Sequence, residues 1–235
     1  MDKSQHNLAV LHANGQGTSV NHHLAFDWYT LAAEQGNVLS QRALGLMYKN
    51  GRGVSQNYEL AFDWFQKAAS QRDAESQHNL GFIHENGLGK TQNYGKAFEW
   101  YMLAAEQKFA ASEHGLGFMY EKGLGVSRDY AEARNWYALA AEQGDRRSQH
   151  HLGRIYEQGL EVSKDYELAL HWYRQGAAQG YALSQYAMGS MHEHGRGVEK
   201  NYELALDWFT RAAEQGNAEC QYNLGVIYFF GRGVN

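Results

Sequence analysis

The chain has 235 residues, a formal net charge of −5, 43% hydrophobic and 14% aromatic content, one cysteine and no proline. That balance suffices to bury a sizeable core, lacks the basic surplus of a general nucleic-acid binder, and contains no apolar run near the ~18 residues of a membrane span. A lone Cys220 forms no internal disulfide, so nothing demands an oxidising compartment and nothing excludes one.

With 26 glycines and no proline, some rule other than proline stiffening must set the turns. The rule is an internal period. The tryptophans are Trp28, Trp64, Trp100, Trp136, Trp172 and Trp208, each 36 residues after the last. Ala25, Ala61, Ala97, Ala133, Ala169 and Ala205 keep the same step, as do Ser4, Ser40, Ser76, Ser112, Ser148, Ser184 and Cys220. The column Leu8, Leu44, Leu80, Leu116, Leu152, Met188 and Leu224 runs in phase with them, and no insertion or deletion breaks the register.

Residues 40–75 show what one unit predicts. The spacing gives a helix over 40–50 whose inner face carries Ser40, Leu44, Met47 and Tyr48. Gly45 flanks that face and costs about 1 kcal/mol of helix propensity, which implies a close approach by another backbone. Gly51 stops the helix, Gly53 supplies a second permissive turn residue, and Val54 pegs the loop. A second helix over about 57–71 is apolar across more than half its circumference through Tyr58, Ala61, Phe62, Trp64, Phe65, Ala68 and Ala69. Such a helix must be covered on two sides. Trp64 and Phe65 are expected to fill the space between units, with truncation of the tryptophan costing ~3–5 kcal/mol.

The expected fold is therefore all-α: a solenoid of 36-residue helix–turn–helix units, each finished by its neighbour. The phase chosen gives six full repeats, 4–39, 40–75, 76–111, 112–147, 148–183 and 184–219, and a partial repeat 220–235. The chain reads as a segment of a longer protein.

The string Leu44-Gly45, Tyr48, Gly51-Arg52-Gly53-Val54, Ala61, Trp64-Phe65, Ala68-Ala69 resembles the Sel-one-like repeat (SLR), a relative of the tetratricopeptide repeat, over essentially the whole chain. It recurs as Leu116-Gly117, Tyr120, Gly123-Leu124-Gly125-Val126, Ala133, Trp136-Tyr137, Ala140-Ala141. The resemblance implies a right-handed superhelix serving as an adaptor or scaffold in protein complexes. Departures are local: Lys90 for the valine peg, Glu161 for the second turn glycine, Gly176 for the first alanine of the pair, Arg72 and Lys108 for the glycine after the second helix, and Ala9 for Gly45. These put single turns in doubt. Cysteine-rich members of the family staple each repeat with a disulfide; this chain lacks those cysteines, so their activities are not carried over.

Gly87-Leu88-Gly89-Lys90-Thr91 imitates the end of a phosphate-binding loop. The pattern needs glycine at 84, where His84 stands, and a strand before the loop. The expectation is a structural turn and no nucleotide. Twelve histidines show no metal-ligand spacing; His192-Glu193-His194 points its rings to different helix faces, and His12, His84 and His192 fall in the Tyr48 column as core or interface rings. Cys220 stands in a small-serine column and reads as a buried filler. No nucleophile elbow occurs. No enzyme activity, cofactor or metal is expected.

By the tetratricopeptide analogy the first helix lines the concave wall, and its outer face falls at i, i+4 and i+7. The expected partner-binding residues are Arg42, Leu46 and Lys49; His78, Phe82 and Glu85; His114, Phe118 and Glu121; His150, Arg154 and Glu157; and Tyr186 and Glu193. They give a histidine edge titrating near 6.5 if unperturbed, outward phenylalanines, and an acidic row. A protein or peptide segment with apolar anchors over Phe82 and Phe118, and with Lys or Arg along the Glu row, is the expected occupant. Nucleic acid, membrane insertion and nucleotide are not expected. The alternative is a purely architectural spacer within a larger multidomain protein.

Overall fold

The computed structural model describes residues 2–216 and 218–229, without the side chains of Asp2, Ala218, Glu219, Cys220, Asn223 and Tyr228. The buried-filler reading of Cys220 lies outside these. Among the described residues there are thirteen α-helices and no strand: α1 (Asp2–Asn14), α2 (His22–Glu34), α3 (Val38–Asn50), α4 (Tyr58–Ser70), α5 (Ala74–Asn86), α6 (Tyr94–Ala105), α7 (Ala110–Lys122), α8 (Tyr130–Glu142), α9 (Arg146–Gln158), α10 (Tyr166–Ala178), α11 (Ala182–His194), α12 (Tyr202–Glu214) and α13 (Ala218–Phe229). Odd-numbered helices are the first of each repeat and even-numbered ones the second. The chain divides into two compact units, Met1–Ser112 with Gly123–Ser127, and Glu113–Lys122 with Arg128–Asn235. In the first unit α1 to α5 each pack on the next helix in the chain; in the second unit α8 to α12 do the same.

Helix ends follow from side chains. Asn21, Asn57, Asn93, Asp129, Asp165 and Asn201 cap the second helices, each accepting the backbone N–H three residues on. Asn37, Asp73 and Asp145 cap α3, α5 and α9 in the same way. This is why α3 starts at Val38, two residues before the expected Ser40. Tyr181 holds that position before α11 and makes no side-chain cap bond. Gly51, with φ 67°, closes α3 in the left-handed conformation. Arg72, Lys108 and Glu161 also take left-handed φ values, 66°, 60° and 54°. The turns in doubt are thus kept, at the local strain of a side chain in that region.

The close approach at Gly45 is made by a ring rather than a backbone. A Cβ there would lie 2.5 Å from Phe65, and one at Gly81, Gly117, Gly153 or Gly189 would lie as close to Tyr101, Tyr137, Tyr173 or Phe209. This aromatic column is the buried one: Phe65, Tyr137 and Phe209 are 0% exposed. The tryptophans are half-buried. Trp64 packs on the cluster of Ala25, Tyr29, Ala33, Leu44 and Met47, so it does bridge from α4 to the preceding repeat. The largest core contribution therefore belongs to the residue after the tryptophan.

Two columns of glutamine tie the repeats together. Gln71 donates to Gln41 Oε1 at 2.8 Å, Gln107 to Gln77 at 2.7 Å, Gln143 to Glu113 at 2.6 Å, Gln179 to Gln149 at 2.9 Å and Gln215 to Gln185 at 2.7 Å. Gln41 in turn donates to the Ala33 carbonyl at the end of α2, and Gln149 to Ala141 at the end of α8. Each buried amide thus joins its own repeat to the carbonyl terminus of the one before, where helix ends leave acceptors free.

Candidate partner-binding face

The i, i+4, i+7 columns lie along one side of the first helices, and their surroundings correct three expectations. The histidine edge is an internal ladder. His6, His78 and His114 bond through Nδ1 to the hydroxyls of Ser40, Ser112 and Ser148 at 2.9, 3.0 and 2.9 Å. Each ring also lies against an aromatic ring 23 residues on, as His78 does on Tyr101 (5.3 Å) and His114 on Tyr137 (5.6 Å). Burial, with Arg147 nearby, pushes the His114 imidazole down to about 3, and burial, with His151 and Arg154 nearby, does the same to His150. These two do not titrate near 6.5. Arg42, in the same column, instead pairs with Asp73 (3.0 Å) and Glu75 (3.2 Å).

The phenylalanines do not stand free. Phe82 is half-buried beneath the Lys49 ammonium, 4.7 Å from the ring centroid. Phe118 packs on the core cluster of Tyr137, Leu152 and Ile155. Leu46 is likewise half-buried against the cluster around Phe65 and Leu80.

Glu85, Glu121 and Glu157 of the acidic row are occupied. A tyrosine ring lying over the helix glycine carries its hydroxyl one turn further, to the residue four positions on. Tyr101 thus donates to Glu85, Tyr137 to Glu121 and Tyr173 to Glu157. Where Phe65 replaces the tyrosine, Lys49 replaces the glutamate and donates to Asn79 Oδ1 at 2.7 Å; burial lowers its pKa. Glu121 is 2% exposed and also accepts from His151 and Arg154, both at 2.9 Å, and pairs with Lys122 at 3.0 Å. Burial alone would raise its pKa, but the His151 and Lys122 hydrogen bonds and the charges of His151 and Arg154 hold the carboxyl well below the usual range. Glu157 accepts from Arg196 at 2.6 Å, and Glu193 lies 3.8 Å from His194. The signal sequence reasoning missed is the tyrosine 16 residues after Glu85, Glu121 and Glu157.

Away from this face, Gly87 closes α5 with φ 67° and Lys90 lies over the Phe62 ring at 4.8 Å, which accounts for the loop as a turn after a helix. His84 is 6% exposed, edge-on to Phe62. Among the described residues no cluster of three or more His, Cys, Asp or Glu is placed to hold a metal, and no helix is long and apolar enough to cross a membrane.

Two clefts open between successive first helices. In the first unit, about 210 Å³ between α1 and α3 is lined by Ala13, Tyr29, Leu46, Met47, Asn50 and Arg52. In the second, about 320 Å³ between α9 and α11 is lined by His150, Arg154, Tyr173, Tyr186, Ser190 and Arg196.

The Sel1 repeat pattern matches residues 2–37, 38–73, 74–109, 110–145, 146–181, 182–217 and 218–235. The chain belongs to the Sel1-repeat family. Two solved members are similar along nearly its whole length. One is c5321, a protective antigen present in uropathogenic Escherichia coli strains and displaying an SLR fold, at 39% identity and TM-score 0.86, over 97% of this chain and 49% of that one. The other is a Sel1 repeat protein from Oxalobacter formigenes, at 33% identity and TM-score 0.86, over 92% and 88%. The chain thus spans about half the length of the E. coli protein. Immunity protein Pa5087 from Pseudomonas aeruginosa shares the fold, at 18% identity and TM-score 0.57 over 91% of this chain and 81% of that one. No curated protein matches the chain. Sel1-repeat solenoids are generally scaffolds for protein interaction and are typically non-catalytic.

Proposed function

We propose that this Sel1-repeat chain is a non-enzymatic scaffold that holds a segment of a partner protein along its first helices. Side chains of the segment seat in the clefts between successive first helices. The observation that carries this reading is the recurrence of such a cleft in each unit, on the same columns of the repeat. With Glu85, Glu121 and Glu157 already hydrogen-bonded and Phe82 under a lysine, these clefts, rather than an acidic rim or outward rings, are the places left for a guest side chain.

The test is site-specific photo-crosslinking in cells with the full protein. A benzophenone amino acid replaces Asn50 or Gln158, exposed residues beside the two clefts, or Leu60 and Leu139, exposed on second helices. One partner, identified by mass spectrometry, should cross-link from Asn50 and Gln158 and not from Leu60 or Leu139. Cross-links confined to second helices, or none from any position, would favour an architectural spacer and overturn the groove.

A further inference from the structure

The middle column of the first-helix face reads Val10, Leu46, Phe82 and Phe118, and then changes to Arg154 and Ser190. The change falls inside the α9–α11 cleft of the second unit. Three further departures from the repeat centre on His150, which lines that cleft. His150 Nδ1 is buried without a partner, although His6, His78 and His114 each bond a serine hydroxyl through that atom. The serine that should serve it, Ser184, also has an unpartnered hydroxyl. That hydroxyl points at Gly176, where an alanine Cβ, as in the other repeats, would come within van der Waals overlap of it. Glycine at 176 therefore gives Ser184 room to turn away and leaves His150 unpaired.

The donors and acceptors of the cleft do not balance. Both Glu157 oxygens are taken, by Tyr173 and Arg196, and both Glu121 oxygens behind it are taken, by Tyr137, His151, Arg154 and Lys122. The guanidiniums are not used up. Arg154 gives one side-chain hydrogen bond, to Glu121, its Nε is buried without a partner, and its side chain is 31% exposed. Arg196 gives one, to Glu157, and is 41% exposed. A guanidinium carries five N–H donors and no acceptor, and a buried donor without a partner destabilises the fold. The surplus calls for an anionic acceptor with two oxygens, the group arginine binds best.

We propose that the α9–α11 cleft sets the specificity of the chain by taking the carboxylate of an aspartate or glutamate side chain in the bound segment, between Arg154 and Arg196. This rests on the groove reading and names the chemistry of the guest at one of its clefts. The first-unit cleft has Arg52 in the place of Arg196 but Val10 in the column of Arg154, and so offers one guanidinium in place of two.

The test is selection of C-terminally anchored random dodecapeptides displayed on phage against the whole protein, followed by synthesis of the enriched peptides with blocked termini. The expected peptides share one acidic position, and changing it to the amide weakens binding about tenfold in fluorescence anisotropy. Arg154→Gln and Arg196→Gln should each abolish the acid-over-amide preference. Arg196→Gln is safe for the fold, because Gln16 holds the equivalent position in the first repeat. Enriched peptides that bind the first helices without a shared acid, or acid and amide versions of equal affinity, overturn this proposal and leave the groove standing. Failure to select any peptide that binds the first helices overturns both.

Discussion

The two units are built from the same columns, and each holds both kinds of joint between first and second helices; the joint at Phe65 in the first unit and the one at Tyr137 in the second show the contrast. In the first unit the interface at Phe65 is apolar, with Gly45 beneath the ring and Lys49 turned to Asn79. In the second, the matching ring at Tyr137 carries a hydroxyl to a buried Glu121 that His151 and Arg154 also serve, with His114 and His150 buried alongside. The fixed positions of the repeat make the fold, and they tolerate either an oily joint or a charged one at the same place. What the charged joint adds is dependence on protonation and on its partners remaining complete.

The largest expected effect tests what the two joints share. Phe65→Ala and Tyr137→Ala should each cost ~3–5 kcal/mol of stability in urea unfolding, since both rings are wholly buried. Tyr137→Phe should then separate the joints, costing about 1–2 kcal/mol through the donor lost to Glu121. A Tyr137→Phe chain as stable as the parent would make the charged joint energetically equivalent to the oily one.

Acid should act next, and unequally. His114 and His150 fall to about 3 in the fold, against 6.5 for free histidine. Between those values the unfolded chain binds protons that the folded chain does not, so stability drops as pH falls from about 6.5 towards 3. Glu121, held low in the fold, adds a loss in the same direction once pH falls below its ordinary 4.5. Indole NMR signals of Trp136, Trp172 and Trp208 should therefore collapse at higher pH than those of Trp28, Trp64 and Trp100. Simultaneous collapse would erase the distinction.

The smallest effect concerns a device both units have. Gln71→Ala in the first unit and Gln179→Ala in the second should each cost about 0.5–1.5 kcal/mol, since both glutamines donate to the preceding repeat as well as to their own. A much larger loss in either one would show that the ladder is unevenly loaded.

The period, the helix pairs and the glycine that admits a neighbour were all readable from the spacing of Trp, Ala, Leu and Gly, because those columns answer to contacts that every repeat must make. The state of the Glu row was not. A glutamate on an outer helix position looks solvated until the tyrosine 16 residues later is seen to lie over the intervening glycine. The histidines misled for the same reason: their serine partners are 34 residues on, across a repeat boundary. The glutamine columns were visible as columns, but a polar residue at constant spacing says nothing of its bond until the helix ends meet. The first-helix residues remain a proposed interface, now with the clefts in place of the acidic row.

The cross-repeat bonds of Gln71 and Gln179 span 35 residues and those of the histidines 34. Removing or inserting a few residues in a helix would misalign each amide and imidazole whose bond spans the edit. Removing or duplicating a whole 36-residue block would return each to an equivalent one. The same ladder that fastens adjacent repeats therefore lets the gene change length by copy number alone, and it discourages any finer edit.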